Sequence, residues 1–264
     1  MGSHLQLLLE SYLLAFGAVW FRLIGFLIWM PFFQGNSIPM QVRVFSSAYM
    51  AMLCLWSIGA PRVEAPGDPL GYVLIFGAEV LLGLALGLVV RTTLEAARGM
   101  GQIVSNSAGL GFAMFVDPST STMEQVVSRL TYTTLTLLIV LTDTHLVLLE
   151  VVFDTFQVFP PGAVPGVTVD GLSLASYASH FFTVSLRLAA PAMCVGLAIY
   201  TVLAVLARVS PQMNLFAFGF AVMIPAALVA MAAATPQTFT LFADELVRLP
   251  ARLARLVVTG GVAP

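Results

Sequence analysis

The chain runs as long apolar stretches separated by short polar breaks, and the lengths of those stretches predict helices. The first extends from Leu5 to Phe33 with one basic residue, Arg22, near its centre, and Pro31 and Pro39 bracket a break at Gln34 to Ser37. The second, Val44 to Ala60, carries no charge and ends in a turn holding Pro61, Arg62, Glu64, Pro66, Gly67 and Asp68. The third, Pro69 to Val90, holds only Glu79 and leads into Arg91, Glu95 and Arg98. Crossing a hydrocarbon core takes about 20 residues of helix. Backbone groups in lipid must be satisfied within the segment, so these runs read as helices rather than strands. The alternation of an outer-membrane barrel is absent.

Beyond Gly99 the pattern changes to small residues. Ala97, Gly101, Ser105 and Gly109 recur every fourth position, which lines one helix face with almost no bulk. Gly83 and Gly87 form the same spacing upstream, and such faces permit close approach of another backbone. Gly83, Gly87, Gly101 and Ser105 are therefore expected at close helix contacts, with a narrow conduit wall as the alternative for the second face. Phe112 to Met123 then reads as a loop, with Asp117, Pro118 and a run of hydroxyl residues flanked by Met114, Phe115 and Met123.

Arg129 opens a helical run over Leu130 to Thr142, followed by a weaker one to Phe159 that holds Glu150 and Asp154. Pro160, Pro161, Gly162, Pro165 and Gly166 mark a loop to about Gly171. The C-terminal half is two apolar arms joined by a polar knot, Arg208 to Asn214. Pro191, Pro225 and Pro236 lie within the arms, so kinks or breaks are expected there. From Asp244 to the C-terminus, Leu246, Leu249, Leu253 and Leu256 set against Arg248, Arg252 and Arg255 predict a short amphipathic tail helix, residues 244–264.

Composition fixes the class. Hydrophobic residues make up 59% of the 264 and charged residues 9%, against about a quarter charged in a soluble domain. The chain reads as an all-α integral membrane protein, residues 1–264 forming a single membrane domain. A net charge of −2 offers no basic face for nucleic acid. All 11 basic residues are arginine, which removes P-loop and Schiff-base chemistry. His4, His145 and His180 lack metal-ligand spacing, and neither H-E-x-x-H nor G-x-S-x-G occurs, so no enzyme, cofactor or metal is expected. Cys54 and Cys194 sit in apolar segments and read as buried packing residues rather than a disulfide.

Five to six spans are expected. The arginine bias puts both the Arg91, Arg98 and Arg129 side and the Arg208 turn in the cytoplasm, and it leaves the arginine-rich tail outside. That conflict points to a miscounted span or to hairpins that do not cross the bilayer simply. A charge at membrane depth costs from about 2.5 to above 10 kcal/mol and ordinarily faces protein or water. Arg22, Glu79 and Arg208 are the deepest, and are expected as ion pairs between helices or subunits, with a conduit or proton path as the alternative.

Three segments in order resemble the FliR family of the flagellar type III protein export apparatus, which is related to the injectisome export-gate proteins. The first has Arg22, Leu23, Ile24, Gly25 and Phe26 followed by Pro31, Ile38, Pro39, Val42 and Arg43. The second holds Glu79, Gly83, Gly87, Gly101, Gln102, Gly109, Asp117 and Pro118, and the third Arg208, Pro211, Gln212, Met213, Asn214, Phe216 and Gly219. Asp143, Thr144 and His145, and Asp154, Thr155 and Phe156, stand where the family often has Gly-His and Ser-Phe, and Ala221 replaces a common proline. The form of the C-terminal signature looks more flagellar than injectisome-like.

The resemblance implies a non-enzymatic export-gate component of the bacterial inner membrane at the flagellar basal body. Its kinked helical hairpins would join FliP and FliQ copies around a channel for unfolded flagellar subunits, with FlhB at the cytoplasmic opening. It further implies helices lifted largely out of the bilayer. On that reading Gly109, Gly111, Phe112, Met114, Phe115, Asp117, Pro118 and Met123 form a channel plug. Arg22, Arg43, Glu79, Arg208, Gln212 and Asn214 make inter-subunit or buried polar contacts. A small-solute secondary transporter would share the broken helices and buried charges, but no inverted pair of segments is apparent.

Overall fold

The computed structural model describes residues 2–33, 38–59, 61, 63, 65–109, 126–163, 171–210 and 215–261. Among them every regular element is helical: α1 (Gly2–Leu27), a 3-10 turn (Pro31–Phe33), α2 (Met40–Ser57), α3 (Pro69–Ser107), α4 (Val126–Leu141), α5 (Thr144–Val158), α6 (Gly171–Val209) and α7 (Leu215–Gly261). Four stretches, Leu9–Leu27, Pro69–Ser107, Ser179–Val209 and Ala221–Arg252, are long and apolar enough to cross a membrane. α4 and α5 pass the same test together, which gives five if the pair is one interrupted span. The chain is an all-α integral membrane protein, and among the described residues the span count reaches the lower end of the expectation only with that pair included.

The boundaries follow local chemistry. Pro39, extended at ψ 143°, precedes α2, in keeping with the fixed φ that suits proline to helix starts. Gly109 follows α3 at φ 75°, and its N–H donates to Asn106 O (3.1 Å). Glycine adopts this left-handed turn without a Cβ penalty, so it closes the helix there. Asp143, at φ 53°, separates α4 from α5. α6 and α7 run helical through Pro191, Pro225 and Pro236, so the prolines interrupt neither arm. Residues 244–258 are helical too, but as the continuation of α7 rather than as a separate tail element.

The chain packs as two compact units. The first comprises Met1–Arg91, Asp143–Tyr177 and Arg248–Pro264. Its α1 carries Leu14, Ala15, Ala18, Val19, Leu23 and Phe26, all buried, at the three- and four-residue spacing that makes one helix stripe. Leu14 and Ala15 pack with Val63 below Leu55, Tyr72 and Phe76. Trp20 Nε1 donates to Ser47 Oγ (3.0 Å), pinning α1 to α2. The second unit comprises Thr92–Thr142 and Ala178–Val247. Its core holds Leu94, Met100 and Val104 of α3, Leu135 and Ile139 of α4, Leu188 of α6 and Phe242 of α7.

Candidate functional site

The most polar point in the apolar interior of the first unit is a fully buried ion pair. Arg22 Nε donates to Glu79 Oε2 at 2.6 Å, and neither side chain has any exposure. Glycine brings the two together. A Cβ at Gly83 would strike the backbone oxygen of Arg22, one at Gly25 would lie 2.6 Å from Val80 O, and one at Gly87 would lie 2.8 Å from Phe26 O. Glu79, Gly83 and Gly87 are one turn apart on α3; Arg22 and Gly25 line the facing stripe of α1, and Trp29 lies just beyond its end. The backbones touch where the charges meet.

Further donors and lone pairs of both side chains are engaged as well. Arg22 Nη1 donates to Thr155 Oγ1 (3.0 Å) and Nη2 to the carbonyl of Phe159 (3.0 Å), while the guanidinium stacks 4.0 Å from the ring centroid of Phe156. Thr155 Oγ1 donates its own proton to Val152 O (2.6 Å), which leaves a lone pair for arginine. Glu79 Oε1 accepts from the N–H of Gly162 (2.9 Å), held by the turn after α5, where Gly162 has φ 85°. A buried pair of charges persists only when its further hydrogen-bonding capacity is met. Here five residues from α5 and the following turn meet it: Val152, Thr155, Phe156, Phe159 and Gly162.

Of the two settings expected for Arg22 and Glu79, an ion pair between helices or one between subunits, the structure shows the first. Arg22 and Glu79 neutralise each other inside the chain, 57 positions apart. Arg208 is exposed in the last turn of α6. Arg43 is half-buried in the first turn of α2, and its Nε–H donates to Ile38 O (3.0 Å). Gln212 and Asn214 lie outside the described residues, as do Gly111, Phe112, Met114, Phe115, Asp117, Pro118 and Met123. Cys54 is buried as expected; Cys194 is exposed instead, since it lies on the outward face of α6 shared with Leu197, which no described residue of this chain covers.

In the second unit the small-residue face of α3 meets α4. A Cβ at Gly101 would collide with the Cα of Ser128, and Thr131 Oγ1 lies 2.8 Å from the carbonyl of Ala97. Ala97, Gly101, Ser105 and Gly109 are all buried, and Ser105 Oγ has no hydrogen-bond partner among the described residues. Ser185 of α6 donates to Ala96 O (3.1 Å) on the next face. Arg98 pairs with Glu95 (2.8 Å) and lies 4.1 Å over the Tyr132 ring.

The sequence pattern did not single out Thr155, Phe156, Phe159 and Gly162 as the cradle of Arg22. One signal was available: a hydroxyl and an aromatic side by side where the FliR resemblance has Ser-Phe, just ahead of a Pro-Pro-Gly turn.

Residues 13–249 match the model of a protein family described as bacterial export proteins, family 1. The chain belongs to this family. The flagellar biosynthetic protein FliR of Escherichia coli (strain K12) is 29% identical over 243 residues, covering 87% of this chain and 91% of the relative. FliR of Pectobacterium carotovorum subsp. carotovorum is 27% identical over 86% of this chain and 91% of its own length. FliR of Bacillus subtilis (strain 168) is 24% identical over 78% and 80%. The family match takes in the buried pair, the glycine crossing and most of both C-terminal arms, and it places the chain among the FliR-type export proteins of the flagellar apparatus.

Proposed function

We propose that the chain is a non-enzymatic subunit of the flagellar export gate in the bacterial inner membrane. It packs with FliP and FliQ copies around a channel through which unfolded flagellar subunits leave, and FlhB sits at the cytoplasmic opening. Family membership gives export. The observation that carries the gate reading is the uneven burial of the apolar helices. The apolar windows of the α1 and α3 spans are each 44% buried, against 22% for the α6 span and 17% for the α7 span. Leu197, Val202, Val205 and Val209 of α6 and Val229 and Val247 of α7 all stand exposed, as a subunit face of a hetero-oligomer would.

The segment from Gly109 to Met123 is the proposed plug, since thioether side chains deform around a passing chain. Arg208, Gln212 and Asn214 are proposed to hold the turn between the two arms against a partner. Copurification tests the whole reading: tagged full-length chain should bring down FliP and FliQ in one large complex, and an isolated monomer or dimer active on a small solute would reject it. Deleting residues 110–122 should raise ion leakage through the assembled complex, and unchanged leakage would remove the plug. Full recovery of both partners with Arg208→Ala and Asn214→Ala would remove the contact at the turn.

A further inference from the structure

In the first unit a short turn closes the buried pair from one side. Residues 159–163 follow α5 and lay two backbone groups on the charges. The carbonyl of Phe159 accepts from Arg22 Nη2 (3.0 Å), and the N–H of Gly162 donates to Glu79 Oε1 (2.9 Å). A carbonyl thus meets the cation and an amide the anion, three residues apart. The turn is braced within itself, since the Phe159 N–H donates to Thr155 O (2.8 Å) and the Ala163 N–H to Pro160 O (3.0 Å). Pro160 and Pro161 fix two of its φ angles, so the five residues form one stiff piece.

Its seat is narrow. Gly162 sits at φ 85°, a conformation that favours glycine, and a Cβ there would lie 2.7 Å from Val63 Cγ1. Val63 is in turn tied to α1, with its N–H donating to Ser11 Oγ (3.2 Å) and its side chain packed with Leu14 and Ala15. The fit therefore depends on one position that carries no side chain.

The turn cannot lift by degrees. Neither Arg22 nor Glu79 has any exposure, so withdrawing residues 159–163 takes an acceptor from the guanidinium and a donor from the carboxylate together. Charged groups left short of partners in a dry interior are strongly unfavourable. Water has to take the vacated places, and the contact of Gly83 with the Arg22 carbonyl leaves no room beside the pair until the helices part. Close-packed contacts of this kind have discrete arrangements rather than a continuum.

We propose that residues 159–163 are a strap that locks the crossing of α1 and α3. Seated, the strap keeps the ion pair dry and the two backbones in contact; lifted, it admits water and frees both helices together. The strap is independent of the export reading, since it uses the first unit of this chain alone.

Hydrogen exchange read by mass spectrometry on the full-length protein in mild detergent tests it. The peptides to follow cover residues 19–26, 79–87 and 159–163, with α4 as the reference for overall unfolding. In the wild type the three peptides are expected to open with one common dependence on added urea, distinct from that of α4. Gly162→Ala prevents seating through both φ and the Val63 contact, and is expected to speed exchange at 19–26 and 79–87 by roughly tenfold or more with α4 little changed. Faster exchange confined to 159–163 in that variant would overturn the strap. So would a wild type in which 159–163 opens more readily than the crossing and with a weaker urea dependence, and that comparison decides alone if Gly162→Ala does not fold.

Discussion

Arg22 has five N–H donors, and α1 alone cannot satisfy one of them. The pair with Glu79 removes the net charge, but it is Thr155, Phe159 O and Gly162 N–H that make the burial tolerable. Removing one partner therefore leaves an uncompensated charge in an apolar interior, which costs about 3–5 kcal/mol, whereas replacing both by apolar residues of similar volume is often close to neutral. Arg22→Met is thus expected to abolish stable accumulation or lower the thermal midpoint sharply in detergent, and Arg22→Met with Glu79→Met to recover most of the loss. A double variant as damaged as the single one would show that the hydrogen bonds of the cradle outweigh the charge. Thr155 separates further, because its role is to accept from Arg22 while donating to Val152 O. Thr155→Ser keeps that chemistry and should be near neutral, while Thr155→Val should cost about 1–3 kcal/mol in the same measurement.

Helix α3 is where sequence pattern and packing agree best, since Gly83, Gly87 and Gly101 each sit where another backbone comes within contact. Gly83 touches the carbonyl of Arg22 and Gly101 touches Ser128, but Gly77 on the same helix has open space where a Cβ would go. Gly77→Ala should therefore follow helix propensity alone and stabilise by up to about 1 kcal/mol. Gly83→Ala should force α1 and α3 apart and break the Arg22 to Glu79 contact. Unfolding midpoints of the two purified variants check both signs, and a neutral Gly83→Ala would mean that α1 shifts without cost. The elements and their close-contact faces could be read from local spacing, because period and small-residue repeats are properties of one segment. The partner of Arg22 could not. The Glu79 carboxylate is 57 positions away, and the four groups completing the site come from a weakly apolar run and a turn that look unremarkable by themselves. Arg208 sits between two charge-free arms in sequence, and the structure leaves it exposed in the last turn of α6, with no partner among the described residues.

At the scale of the whole molecule, charge and apolar surface divide differently than the sequence alone suggested. With Arg22 and Glu79 neutralised internally, assembly cannot be driven by those groups. Among the described residues the large side chains left uncovered are mostly apolar, with Leu197 (70% exposed), Val205 (59%) and Val209 (72%) on α6 and Val229 (68%) on α7. An apolar face on a membrane helix has two possible covers, lipid or protein, and they respond oppositely to added bulk. Fluid acyl chains make room for an indole, whereas a packed helix interface does not, overpacking there costing about 1–3 kcal/mol. Leu197→Trp and Val205→Trp should therefore leave the folding of the isolated chain unchanged. They should also lower recovery of FliP and FliQ by about tenfold for each 1.4 kcal/mol of strain. Trp56 on α2, 85% exposed, provides the contrast, as its truncation removes bulk instead of adding it. Trp56→Ala should change partner recovery little. Undiminished recovery with both α6 variants would assign that face to lipid and leave the partner contacts to be sought elsewhere on the chain.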